Sequence, residues 1–111
     1  MQTSPATTIT IRDYDTLTPV SHVVPVLYPE TANALKVMVA HIDAQINHLW
    51  HYGSHGSHRI GEVREMVAGI IAQTRLITIL TGDRPHSERV VYALRSACFK
   101  AEKSALARLR K

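Results

Sequence analysis

Residues 57–82 read SHRIGEVREMVAGIIAQTRLITILTG, and the spacing of their apolar side chains decides the fold class. Ile60, Val63, Val67, Ile70, Thr74 and Ile77 recur at intervals of 3-4-3-4-3, which puts a near-heptad seam on one side of a helix. Met66, Ile71 and Leu80 broaden that seam. Ala68, Gly69 and Ala72 are small, so another backbone can approach closely there. Ser57 is the expected N-cap, without the acidic or amide partner three residues on that would complete a capping box. Gly82 is the expected stop.

The text on either side is also helical. Pro29 suits a first helical position, Ala32–Tyr52 contains neither Gly nor Pro, and Gly53 offers an end. Leu35, Met38, Ile42, Ile46 and Leu49 form the expected core face, widened by Val39 and Trp50. Gly53–Ser57 is a loop by composition. Asp83-Arg84-Pro85 turns the chain into a third helix, whose Val91, Leu94, Cys98, Ala101, Ala105 and Leu109 again space at three and four. Each helix is then roughly 35 Å long at about 1.5 Å rise per residue.

Residues 1–28 read differently. Thr7–Ile11 alternates Thr and Ile as a strand does, and Pro19, Pro25 and Pro29 keep the segment Val20–Tyr28 extended. This arm is too short for a sheet of its own, so it forms either a two-stranded ribbon or an extended arm lying on a neighbouring surface. The expected architecture is all-α: an antiparallel three-helix bundle over 29–111 with an extended N-terminal arm over 1–28. The stripes on the first two helices are wider than a three-helix core requires, which predicts a homodimer through the helices.

The chain has 111 residues, 45% hydrophobic and 20% charged with 5 Gly and 5 Pro, so one globular domain fits and low-complexity architectures do not. A single cysteine, Cys98, excludes an intrachain disulfide framework. No apolar run approaches the ~18 residues of a membrane span, and Met1–Thr8 lacks the order of a signal peptide, so a cytoplasmic location is expected. Charge is uneven. Residues 84–111 hold eight basic groups against two acids, whereas residues 1–83 hold five against seven. Such an end attracts nucleic acid or an acidic protein face, or simply forms a solvated helix face.

Residue chemistry gives little support to catalysis. His48, His51, His55 and His58 are spaced 3, 4 and 3, but the last two fall in or beside a Gly/Ser loop, with no cysteine or acid completing a recognised metal pattern. His58-x-x-x-Glu62 is one fragment of a di-iron site, and no Glu-x-x-His accompanies it. Cys98 lies on the apolar face of its helix, where a thiol is inert. No nucleophile elbow, phosphate-binding glycine loop or nucleotide fingerprint appears. The chain therefore reads as no enzyme, with no metal and no cofactor. The alternative function is a small basic helical nucleic-acid-binding protein, against which stands the scarcity of aromatics on the basic helix, only Tyr92 and Phe99. A protein-binding module is the leading reading, with Leu27, Tyr28, Leu49, Trp50 and Tyr52, at the two ends of the first helix, as candidate partner-binding residues. Trp50 serves equally well as core.

The stretches TLTPVSHVVPVLYPETANALKVMVAHIDAQINHLW (16–50) and GEVREMVAGIIAQTRLITILTGDRP (61–85) resemble the QslA-like bacterial quorum-sensing anti-activators, for which the TraM-type proteins are functional analogues. The likeness covers most of the chain as a general pattern, without a diagnostic motif. It implies a dimeric helical protein that binds a LuxR-type transcription activator and prevents its dimerisation and DNA binding. No residue roles are carried over.

Overall fold

A computed structural model describes residues 6–25, 28–52, 59–82 and 85–109. Two strands, β1 (Ala6–Asp13) and β2 (Thr18–Pro25), precede three helices, α1 (Pro29–Trp50), α2 (Ile60–Thr81) and α3 (Pro85–Leu109). The chain is mostly helical, as the periodicity predicts, and the arm takes the ribbon form of its two expected alternatives. β1 and β2 pair antiparallel with Ile9 opposite His22 and Ile11 opposite Val20. The connecting turn, Tyr14–Leu17, is closed by the Asp15 N–H donating to Asp13 Oδ1 at 2.8 Å, and Leu17 takes the left-handed conformation at φ 58°. Alternation then works as it should. Thr7, Ile9, Ile11 and Val24 face inward and are buried, whereas Thr8, Thr10 and Val23 face solvent.

Helix ends follow local chemistry. Pro29 occupies the first position of α1 behind an extended Tyr28, and Gly82 closes α2 at φ 73°. The expected Ser57 cap lies outside the described residues; α2 begins at Ile60 behind an extended Arg59 that makes no side-chain cap bond. The seam of α2 is buried at Val63, Val67, Ile70, Thr74 and Ile77, while Ile60 at its start is exposed. Every helix touches the other two, and the hairpin lies against α1 and α3. Gln45 and Gln73 exchange amide hydrogen bonds of 3.0 and 2.8 Å across α1 and α2, fixing their antiparallel register. Arg108, near the end of α3, donates to the Trp50 carbonyl at the end of α1, so those two helices run parallel. Ile9, Ile11, Tyr14 and Val24 belong to the same buried cluster as the helices, so arm and helices share one core. No helix among the described residues is long and apolar enough to cross a membrane.

Candidate functional site

α3 carries two stripes. Val90, Leu94, Cys98, Ala101 and Ala105 form the buried one. Diametrically opposite, Arg89, Tyr92, Ser96, Phe99 and Lys103 recur at intervals of three and four along the outer face. Tyr92 is 76% exposed and Phe99 52%, both large apolar surfaces left in water by the folded chain. Beside them an open groove of about 820 Å³ separates α3 from the hairpin. Ala93 and Ala97 give the groove its depth, Ile11 and Val20 supply the hairpin wall, and Arg12, Glu88, Arg89 and Lys100 are among the charged groups lining it. A shallower depression continues along Tyr92, Arg95, Phe99 and Lys103.

The hairpin wall is held by three contacts of different kinds. The Tyr14 and Trp50 rings lie 4.8 Å apart and tilted by 34°, the Arg12 N–H donates to Asp43 Oδ1 at 3.4 Å, and Lys100 pairs with Asp15 and, at 3.9 Å, Asp13. Burial of Tyr14, with the Asp43 carboxylate nearby, pushes its phenol up to about 12, and its hydroxyl has no hydrogen-bond partner among the described residues. Burial also raises the Asp43 carboxyl above its usual range, a shift the Arg12 N–H and guanidinium only partly oppose. The hydrogen bond with Asp15 is the main cause that raises the Lys100 ammonium.

The candidate residues named from sequence fall in several environments. Leu27 lies outside the described residues. Tyr28 is exposed at the start of α1, while Trp50 and Tyr52 are half-buried at its other end, about 33 Å away for a 22-residue helix. Leu49 is fully buried in the core and offers a partner no side-chain surface. Trp50 packs on Tyr14, and the Tyr52 hydroxyl donates to the Glu62 carboxylate. Tyr92 and Phe99 were not among the contact residues read from the sequence; the signal that could have found them is that they fall off the apolar spacing of α3, seven apart on its opposite side.

Asp13, Tyr14, His22 and Ser96 also line the groove. Burial pushes the Cys98 thiol up to about 12, helped by the Glu102 charge, so at neutral pH it is protonated and enclosed. His48 is exposed on α1, and His55 and His58 lie outside the described residues. Among the described residues, no three His, Cys, Asp or Glu side chains group to hold a metal ion. Two exposed aromatic surfaces, an open groove and several cations give this face the means to hold and orient an acidic partner. No protein-family model, curated protein or solved structure matches this chain.

Proposed function

We propose that this protein is a non-catalytic binding module that inhibits a partner protein by occupying a surface the partner needs, with the outer face of α3 and the adjoining groove as its contact. The observation that carries this reading is the exposure of Tyr92 and Phe99 beside an open groove, among Arg89, Lys100 and Lys103. Aromatic side chains supply the largest share of interface energy when a partner desolvates them. The likeness of residues 16–50 and 61–85 to quorum-sensing anti-activators directs the choice of partner to a LuxR-type transcription activator, kept from dimerising on DNA. In the same reading the module is a cytoplasmic homodimer assembled through its helices.

An inhibitor of this kind acts stoichiometrically, without turnover. Titrated into a LuxR-type regulator bound to its operator, the protein releases the DNA at near-equimolar ratio. Replacing Tyr92 and Phe99 together by Ala weakens that release by ~2 kcal/mol or more, roughly 30-fold, with helix content unchanged. A regulator–DNA complex undisturbed by a large excess overturns the reading. One observation favours a second: four cations, Arg89, Arg95, Lys100 and Lys103, stand close to two exposed aromatics, the combination that single-stranded nucleic acid uses. That reading requires retention on nucleic acid that falls steeply with added salt, and the first requires none near physiological salt.

A further inference from the structure

The hairpin does not close on α3 along its whole inner face. Val20 stands opposite Ile11 in the register and shares the inward side of the ribbon with Ile9, Ile11 and Val24. Those three are buried, yet Val20 is 39% exposed and lines the open groove of about 820 Å³. The opposing wall explains the gap, because Ala93, Ser96 and Ala97 of α3 are too short to reach across it. At the turn end the Tyr14 hydroxyl is buried without a partner among the described residues, so this layer is incompletely satisfied as well as incompletely filled. A space of this size falls within the roughly 300–1,000 Å³ of sites that hold small organic molecules.

The charges along the groove divide by end. Beside the turn, Lys100 is engaged by Asp15 and Asp13, and the Arg12 guanidinium acts on Asp43. The cations there are matched by carboxylates. Arg89 stands eleven residues before Lys100, about 16 Å away along α3, and makes no ion pair among the described residues. His22, four residues into β2 from its turn end, lines the groove as well. Glu88 shares the Arg89 end, but it lies in the first turn of α3, where the macrodipole already holds a carboxylate. A free guanidinium at one end of an apolar trough, with matched charges at the other, suits a ligand with one anionic head and an apolar body.

We propose that the groove between the hairpin and α3 binds a small amphipathic carboxylate, its head on the Arg89 guanidinium and its apolar body laid between Val20 and Ile11 on one wall and Ala93 and Ala97 on the other. Arginine holds a carboxylate through two parallel N–H donors, a geometry that an ammonium does not impose. The body covers the inward-facing side chain that the folded chain leaves wet. That burial, and not the single exposed ion pair, supplies most of the affinity. The binding does not rest on the partner reading above, since it needs only this chain. One consequence does: Arg89 and Tyr92 belong both to the groove and to the outer face of α3, so a seated ligand changes the surface offered to a partner.

Isothermal titration calorimetry of the purified chain with dodecanoate, kept below the concentration at which it forms micelles, tests the site. Saturable binding of one ligand per chain is expected. Dodecyltrimethylammonium, the same tail on a cationic head, binds at least about tenfold more weakly. Ala93→Phe fills the trough from a half-buried position, and Val20→Glu puts a charge on a side chain that is already exposed. Each weakens dodecanoate binding at least about tenfold while far-ultraviolet ellipticity stays unchanged. Arg89→Gln brings the two head groups to within about threefold of one another, which a merely structural role for Arg89 would not do. The proposal is overturned by an absence of saturable binding, by equal affinity of the wild type for both head groups, or by a preference for the carboxylate that survives Arg89→Gln. Undiminished dodecanoate affinity in a folded Ala93→Phe or Val20→Glu variant overturns it too. None of these results bears on operator release, which the titration above measures with the partner present.

Discussion

Asp43 stands where the hairpin meets α1, and burial there holds its carboxyl above the ordinary 3.8 in the folded chain. A raised folded value means the native state binds that proton more tightly than the unfolded state. The contribution to stability is full below pH 3.8 and is lost as pH rises through the raised value. Asp43→Asn keeps an oxygen to accept from the Arg12 N–H and removes the buried charge. Denaturant midpoints measured from acid to neutral pH are therefore expected to favour the variant increasingly as pH rises; a difference that stays flat or reverses refutes the argument. Other single residues divide by how much tertiary context their roles need. The enclosed thiol of Cys98 was legible because its place on an apolar stripe fixes its surroundings. Leu49 and Trp50 are adjacent at a helix end, where spacing alone cannot separate core from contact surface. The hairpin decides, since Tyr14, packed on Trp50, comes from a turn 36 residues earlier in the chain.

Among the elements, helices were the readable part because their period is local. The α2 seam predicts burial at Val63, Val67, Ile70, Thr74 and Ile77, and only Ile60, in the first turn beside the loop, departs from it. The hairpin was half-readable. Alternation marked β1, but Asp13–Leu17 offers neither Gly nor Asn to announce a turn, and Leu17 takes the left-handed region instead. An isolated two-stranded hairpin is marginal in water, so its order depends on docking. Trp50 supplies much of that dock, its ring against Tyr14 and its carbonyl receiving the Arg108 guanidinium. Trp50→Ala keeps the carbonyl and deletes the ring. The expected loss is about 3 kcal/mol in urea denaturation, because a large cavity opens between hairpin and helices. A loss below about 1 kcal/mol means the ring is peripheral and returns Trp50 to the list of contact residues.

The molecule as a whole is elongated, 58 × 26 × 19 Å, with a radius of gyration of 15.3 Å against about 13 Å for a compact chain of this length. An elongated body buries little surface per residue, so every element that contributes apolar side chains matters to the rest. A boundary at residue 28 follows the change in composition, yet Ile9, Ile11, Tyr14 and Val24 lie in one cluster with Leu35, Ile42, Leu94 and Ala101. Stripped of the hairpin, α1 and α3 expose the apolar surface it covers, and the hairpin alone has no second layer to bury its own inner face. Undocking therefore costs both parts at once, which predicts one cooperative transition in place of two. The chain contains the means to observe this. Trp50 is its single tryptophan and sits against the hairpin, so its fluorescence reports docking, while far-ultraviolet ellipticity reports the helices. In a urea titration the two signals are expected to share one midpoint. If the fluorescence changes first, at urea concentrations where the helices persist, the hairpin leaves as an independent arm, and residue 28 marks a true boundary between two units of different stability.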